Sequence, residues 1–344
     1  MPPHHPGVDC LLQPLRLRPI PVQRVWGGER ILREVHPGLS AEPPIGESWC
    51  VSDVGADASF HSEIVWPEPC PVDAPRTLRE WLLQAPREVL GARFHQPGRE
   101  PRLPLLYKFI DAREALSVQV HPDDALVAEL GLEGAGKTEA WIILDAAPGA
   151  SIVYGLEPGL TYEGYLARAR VGRGAEGLAR VPVQRGDIAY LPAGTLHAIG
   201  AGVMLAEIQQ SSDTTYRIYD WDRPGLDGRP RTLHLDEAAR VRPVTPPPCP
   251  LPVPAEVAPG VRVRIADAPF RLTELRLTPT VPAVTLPPDD RFAILSVLDG
   301  QAELADGTRL AKGEVLFYPA AARASAVTLR GTGWALWMEP TAPA

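Results

Sequence analysis

Short apolar runs, many of them alternating with polar residues, recur along most of the chain and predict a protein built mainly of β-strands. Residues 116–121 show the pattern clearly. In a strand, Ser117, Gln119 and His121 share one face, and three apolar side chains share the other. Polar, potentially ligating groups backed by an apolar face are typical of a barrel that holds a binding site inside.

Helical spacing occurs in three stretches between the strand-like runs: residues 76–90, 122–130 and 161–170. In the first, Thr77 is a candidate N-cap and Pro86 ends or kinks the helix. Dense proline in residues 243–259 excludes both a helix interior and a central strand, so we expect an extended connector there. It divides a catalytic domain, residues 1–242, from a smaller β domain, residues 260–344.

The region after the connector reads as a small β-sandwich or jelly roll. Turn signals at Asp299-Gly300 and Asp306-Gly307 separate short strands there. The predicted strands are residues 261–265, 270–277, 292–298, 301–304, 314–318, 326–329 and 334–337. No histidine follows His234, so this domain lacks imidazole ligands for a metal.

Composition narrows the class of protein. The 344 residues are 45% hydrophobic and 22% charged, with a net charge of −8, which favours a globular enzyme and disfavours a nucleic-acid partner. No apolar stretch reaches the roughly 18 residues of a membrane span, and the first residues lack a signal-peptide pattern. Cys10, Cys50, Cys70 and Cys249 form no CxxC pair, so we expect free thiols and a cytoplasmic location. No exposed apolar repeat stands out, so we also expect a monomer.

Four residues are able to hold one metal ion: Gln119, His121, Glu139 and His197. Nitrogen and oxygen ligands suit zinc, but also manganese, iron, cobalt or nickel. The positions of Gly186, Pro192, Gly194 and His197 have the spacing of the second cupin motif. The first cupin motif is altered, because glutamine replaces its first histidine and Glu139 lies far downstream.

These two departures, with seven ordered motifs, resemble type I mannose-6-phosphate isomerases (phosphomannose isomerases), in particular the short bacterial form. The resemblance is strong over about residues 10–240. The matching stretches are residues 25–28, 45–49, 104–109, 116–124, 136–141, 192–199 and 207–223. The resemblance implies a mainly β fold, with a cupin (jelly-roll) catalytic domain that carries inserted helices and a smaller, metal-free cupin-like C-terminal domain.

For the site, the resemblance implies one zinc ion bound by the four residues above, and a small phosphosugar as substrate. The implied pocket residues are Lys108, Ser117, Lys137, Glu207, Asp213 and Arg217. The implied reaction interconverts mannose 6-phosphate and fructose 6-phosphate through an enediol(ate), whose negative charge a divalent metal stabilises.

Individual roles follow as hypotheses. Arg217 is the expected charge stabiliser, because its planar fork matches an oxyanion or a phosphate. Lys137 shares a strand face with Glu139 and is placed to bind a substrate oxygen. Lys108 and Ser117 are expected to hold the phosphate at the barrel mouth, and Asp213 to orient Arg217 or Lys137. The proton carrier stays open between Glu207, Lys137 and a metal-bound water.

Two other functions remain alternatives at this point. One is a different cupin enzyme, such as an iron dioxygenase, which usually needs three histidines and open coordination positions. The other is a non-catalytic sugar-binding cupin, which has no need of Lys137, Glu207 and Arg217 around an intact metal set.

Overall fold

The computed structural model describes residues 13–66, 74–266 and 269–341, and this part of the chain is mainly β, as the sequence predicts. Cys10 and Cys70 lie outside the described residues. The α-helices are α1 (Leu78–Gln84), α2 (Pro86–Leu90), α3 (Asp124–Leu130), α4 (Tyr162–Arg170) and α5 (Leu235–Arg240). In the described ranges, none of them has the length and apolar character needed to cross a bilayer.

The predicted cap at Thr77 and the predicted start at Thr161 are confirmed, whereas α3 begins two residues later than the predicted start at residue 122. Thr77 accepts a hydrogen bond from the backbone N–H of Glu80, and Thr161 and Asp123 cap α4 and α3 in the same way. The proline effect is also confirmed, because α1 ends at Gln84, with Ala85 as its C-cap, and Pro86 begins α2.

Twenty strands occur in the described residues. In chain order they are β1 (Leu15–Leu17), β2 (Ile20–Gly28), β3 (Ile45–Val51), β4 (Ile64–Val65), β5 (Leu105–Ala112), β6 (Val118–Val120), β7 (Glu139–Ala146), β8 (Ser151–Leu156), β9 (Leu178–Pro182), β10 (Ile188–Leu191), β11 (His197–Ile199), β12 (Val203–Gln210), β13 (Tyr216–Tyr219), β14 (Val261–Ile265), β15 (Phe270–Leu277), β16 (Val284–Leu286), β17 (Ala293–Leu304), β18 (Arg309–Ala311), β19 (Val315–Tyr318) and β20 (Val327–Pro340).

Two of the sheets enclose the candidate site. One has the order β10-β7-β12-β5-β2-β3 and the other β13-β6-β11-β8-β9. They pack face to face, because one buried cluster joins Ile110 and Ile143 of the first sheet to Ile152 and Ile199 of the second. A strand is predicted over residues 116–121, and the structure forms a shorter one there, β6.

The third sheet has the order β14-β15-β20-β17-β19-β1-β4, with β16 paired to β20 and β18 to β17. Its strands β1 and β4 come from the start of the chain, so the first residues described complete a sheet formed mainly after the connector. One face packs on the back of the six-stranded sheet, where Tyr107 Oη donates to Ser296 Oγ at 2.8 Å. The other face covers a core of its own. The domain division at residues 243–259 stays a prediction.

The connector carries neither an α-helix nor a sheet strand, as expected from its prolines. It lies against the enclosed site, because the N–H of Val244 donates to Gly194 O at 3.1 Å and that of Leu251 to Ile188 O at 2.7 Å.

Two predicted breaks in the C-terminal strands are wrong. Residues 292–298 and 301–304 belong to the single strand β17, and residues 326–329 and 334–337 to β20. Gly300 has a φ of 73°, and a Cβ there would lie 2.1 Å from Thr332 O of the neighbouring strand. It marks an irregularity that admits the neighbour's backbone rather than a turn. The Asp306-Gly307 turn is present between β17 and β18.

Candidate active site

Three of the four predicted metal ligands meet in the interior. Ligand atoms of His121, Glu139 and His197, all buried, lie within 4.8 Å of one another. The Nε2 of His121 is 3.2 Å from Glu139 Oε1, and the Nε2 of His197 is 3.7 Å from Glu139 Oε2. Gln119 joins them, because its side-chain amide lies 3.2 Å from His197 Nε2.

Strand pairing places these groups together. Gln119 of β6 lies directly opposite His197 of β11 in one sheet, while Glu139 begins β7 in the facing sheet. The turn before His197 is fixed by Gly194, whose φ is 88° and whose N–H donates to His121 O at 2.9 Å. A Cβ on Gly194 would lie 2.3 Å from Arg242 O, so glycine is required at this point.

The hydrogen bonds of both histidines fix which ring nitrogen carries the proton. His121 Nδ1 lies 3.0 Å from Thr214 O, and His197 Nδ1 lies 2.9 Å from Thr195 O. A carbonyl oxygen only accepts, so each Nδ1 donates and each Nε2 turns its lone pair toward the cluster. Burial, followed by the charge of Lys137, lowers the pKa of His121 to about 3, and burial lowers the pKa of His197. Both imidazoles are therefore neutral ligands.

The donor set fits a divalent cation. Within the described ranges, neither buried oxygen of Glu139 accepts a hydrogen bond of good geometry, although Lys137 Nζ lies 2.8 Å from Oε1. Burial raises the pKa of Glu139, but Lys137 and then His121 outweigh it, so the group is an anion. Gln119 turns its NH2 toward His197; rotating the amide exchanges N for O and gives a fourth acceptor.

On the six-stranded sheet, a row of directly opposed residues faces the cluster. Glu207 on β12 is the cross-strand partner of Lys108 on β5 and of Trp141 on β7. Opposed residues point to the same face of a sheet. Lys108 and Glu207 therefore project together into a cavity of about 680 Å³ that Lys137 also lines.

A matching row lies on the five-stranded sheet. Arg217 on β13 is opposite Gln119 on β6, which is opposite His197 on β11. Gln119 and Arg217 line the same cavity as Lys108 and Glu207. The cavity thus has Gln119 and Arg217 on one side and Lys108 and Glu207 on the other, with His197 next to Gln119 in its sheet.

Lys108 is buried between two carboxylates. Its Nζ lies 3.1 Å from Glu47 Oε1 and 3.0 Å from Glu207 Oε1. Its ammonium is thus paired within the protein, and its contact with a substrate phosphate stays a prediction. Burial, and then the charge of Glu139, raises the pKa of Glu207, while Lys108 opposes the rise. A buried carboxylate with a raised pKa suits proton transfer near neutral pH.

Arg217 is the cation of this wall that lacks a carboxylate partner in the described part of the chain. Its Nη1 donates to Thr232 O at 2.9 Å, and its buried Nε has no hydrogen-bond partner there. Burial lowers its pKa, helped by nearby arginines. Ser117 and Asp213 also line the cavity, but the Asp213 carboxylate makes no ion pair with Arg217 or Lys137 among the described residues.

Several cavity residues escaped the sequence reasoning. Arg24 Nη2 lies 2.7 Å from Glu47 Oε2, and Trp49 Nε1 donates to that oxygen at 3.3 Å. Trp141 Nε1 donates to Glu207 Oε2 at 2.8 Å. Alternation alone places Trp141 on the face of Glu139, two residues earlier, whereas the contacts of Arg24 depend on long-range strand register.

Comparison with known proteins finds relatives of one family. The family model for the phosphomannose isomerase type I catalytic domain matches residues 15–137. A mannose-6-phosphate isomerase of Streptococcus mutans is 33% identical over 320 residues, 90% of this chain and 93% of that protein. A probable mannose-6-phosphate isomerase of Bacillus subtilis is 39% identical over 232 residues, 67% of this chain and 69% of the relative.

The fold agrees as well. The crystal structure of the mannose 6-phosphate isomerase from Bacillus subtilis superposes with a TM-score of 0.79 at 29% identity, covering 95% of this chain and 99% of that one. A putative mannosephosphate isomerase from Archaeoglobus fulgidus, at 19% identity and a TM-score of 0.69, shows the shared fold alone. With a relative that is similar over nearly its whole length, the chain belongs to the type I mannose-6-phosphate isomerase family.

Proposed function

We propose that this protein interconverts mannose 6-phosphate and fructose 6-phosphate in a reaction that depends on one divalent metal ion. One observation carries the proposal: two histidines, a glutamate and a glutamine converge beside a cavity that Gln119, Lys108 and Glu207 line. The names of the relatives support the choice of substrate.

The metal proposed is zinc, held by Gln119, His121, Glu139 and His197. Three neutral ligands and one carboxylate leave a net charge of about +1 on a divalent ion. When bound, such an ion acts as a Lewis acid that stabilises negative charge on the sugar oxygens O1 and O2.

The chain's own residues handle the proton and the remaining charge. We assign Glu207 as the base that takes the proton from C2 and returns it to C1, because it is buried, lines the cavity and has a raised pKa. The hydroxyl proton of O2 passes to O1, so the carbonyl moves from C1 to C2 through the enediolate with no net oxidation. Lys108 holds Glu207 in place from the neighbouring strand.

Charge outside the metal cluster is assigned to Lys137 and Arg217. Lys137 lies beside Glu139 and is placed to bind an oxygen of the enediolate. Arg217 presents a guanidinium free of carboxylate partners in the described ranges to that oxygen or the phosphate. Ser117, Asp213 and Lys108 complete the proposed substrate contacts. A monomeric state, a cytoplasmic location and the absence of a nucleic-acid partner stay predictions.

The test follows the sugar by NMR. Purified protein with added zinc is expected to convert mannose 6-phosphate to fructose 6-phosphate, to lose this activity with a chelator and to regain it with zinc. Absence of turnover in a zinc-replete preparation would overturn the proposal. Binding of the sugar phosphate without turnover then favours a non-catalytic cupin, and oxygen uptake favours an oxidase.

A further inference from the structure

Each oxygen of the Glu207 carboxylate has one donor group beside it, an ion pair at Oε1 and a hydrogen bond at Oε2, and these groups come from the two neighbouring strands. Lys108 Nζ lies 3.0 Å from Oε1, and Trp141 Nε1 donates to Oε2 at 2.8 Å. Both donors are the direct cross-strand partners of Glu207. The orientation of this carboxylate is therefore fixed by the sheet itself.

The same indole also touches the opposite wall. The rings of Trp141 and His197 meet edge to face, with centroids 5.3 Å apart and planes at 79°. Trp141 is fully buried, and its two side-chain torsions are confined by the core around it. A single rigid ring thus spans the proposed base and one proposed metal ligand.

We propose that Trp141 is a positioning residue that aims the Glu207 carboxylate at the reacting carbons. This inference rests on the proposed function, in which Glu207 carries the proton. A neutral N–H suits the task, because it fixes one oxygen by a hydrogen bond while adding no second cation to the one Lys108 supplies. A second ion pair would lower the basicity that the transfer needs.

A purely space-filling tryptophan in this protein looks different. Trp81 is also fully buried, yet its Nε1 has no hydrogen-bond partner in the described residues. Core packing alone therefore does not require a bonded indole, and Trp81 provides the matched control for removing an indole N–H.

The test compares Trp141→Phe with Trp81→Phe in the zinc-loaded full chain. Phenylalanine keeps an aromatic ring but has no N–H. We expect W141F to lower kcat by about 10- to 100-fold, within the range that a positioned base supplies, with KM changed less than about threefold. Zinc content should stay at one per chain, and W81F should keep the wild-type kcat.

A double-mutant cycle separates positioning from general damage. In a Glu207→Gln background the residual activity should be nearly insensitive to W141F, because the residue acts through Glu207. Equal loss in both backgrounds, or a W141F kcat within about twofold of the wild type, overturns the inference. Failure of the wild type to turn over the sugar instead overturns the proposed function.

A measurement on folded wild-type protein covers the case in which W141F does not fold. In a spectrum of ¹⁵N-labelled indole groups, the Trp141 N–H should be shifted downfield and should move in E207Q. An indole resonance set that is unchanged between wild type and E207Q overturns the inference.

Discussion

The two sheets around the candidate site and the C-terminal sheet are all built from antiparallel strands. They differ in the side chains that their enclosed faces carry. On the six-stranded sheet, the inner face carries Lys108 and Glu207, which line a cavity, and Glu139, which points to the same face. On the C-terminal sheet, the enclosed face of β17 and β20 carries apolar residues such as Leu295 and Trp337. The same architecture encloses a polar pocket in one region and a dry core in the other.

Buried carboxylates make the difference concrete. Glu274 in the C-terminal sheet is 2% exposed, and each oxygen accepts from an arginine, Arg264 Nη1 at 2.7 Å and Arg276 Nε at 2.7 Å. Glu139 is 1% exposed, and its nearest neighbours are Lys137 and neutral imidazoles. A carboxylate saturated by guanidinium groups serves the fold, whereas an under-bonded one is available to a ligand.

The largest effect is expected from Glu139→Gln. The amide keeps the shape of the side chain but removes the charge that holds a divalent ion, so zinc content should fall. Because a metal supplies several kcal/mol of charge stabilisation, kcat should drop by at least about 10³-fold. Stability of the metal-free protein should also fall, because the buried Lys137 ammonium, 2.8 Å from Oε1, loses its anionic partner. Metal analysis, an isomerase assay and urea unfolding check the three parts; full zinc content in E139Q contradicts the first.

Arg217→Ala tests the wall opposite Glu207. We expect kcat to fall by about 10²-fold with zinc content unchanged, the scale of losing one preorganised donor to a developing charge. Steady-state kinetics measure the loss. A near-normal kcat removes Arg217 from the mechanism, and zinc loss shows that it supports the metal site instead.

Glu274→Gln is the counterpart in the C-terminal sheet. Leaving Arg264, whose side chain is 3% exposed, without its carboxylate should lower the free energy of unfolding by about 2 kcal/mol. The isomerase activity of the folded variant should stay within about twofold of the wild type. Urea unfolding checks the stability and the isomerase assay checks the activity. A large loss of kcat would show that the C-terminal sheet controls the site.

Asp289→Asn gives the smallest expected effect and adds a dependence on pH. Hydrogen bonds from Arg291 lower the pKa of Asp289 to about 2. A lowered pKa stabilises the fold above the unfolded value near 4, and that stabilisation disappears as the pH falls toward 2. The free energy of unfolding of the wild type should exceed that of D289N by about 1 kcal/mol near pH 7, a modest value because the carboxylate is partly exposed. Urea unfolding should show a smaller difference at about pH 3. A difference independent of pH contradicts the assignment.

Features encoded in short stretches of sequence were predictable. The caps Thr77 and Thr161 and the break at Pro86 depend on neighbouring residues only, and the structure has all three. The meeting of His121 with His197 followed from motif spacing, because the turn at a glycine and proline fixes the path of the chain between strands.

Features that depend on long-range pairing were not predictable. Strand β1 pairs Leu15 with Phe317, and no local pattern specifies that partner. Asp299-Gly300 has the composition of a turn, but the chain continues through it as strand β17, with an irregularity where the backbone of the neighbouring strand comes close to Gly300. The burial of Lys108 between Glu47 and a second carboxylate likewise depends on the register of three strands.

The proposed function depends on one divalent cation bound by Gln119, His121, Glu139 and His197. Anomalous diffraction at the zinc edge, from crystals grown with zinc, tests it most directly. We predict one strong peak, about 2.0–2.2 Å from the Nε2 atoms of both histidines, a Glu139 oxygen and the Gln119 amide oxygen. A peak elsewhere, or no peak among these side chains in zinc-rich buffer, contradicts metal binding by these four residues.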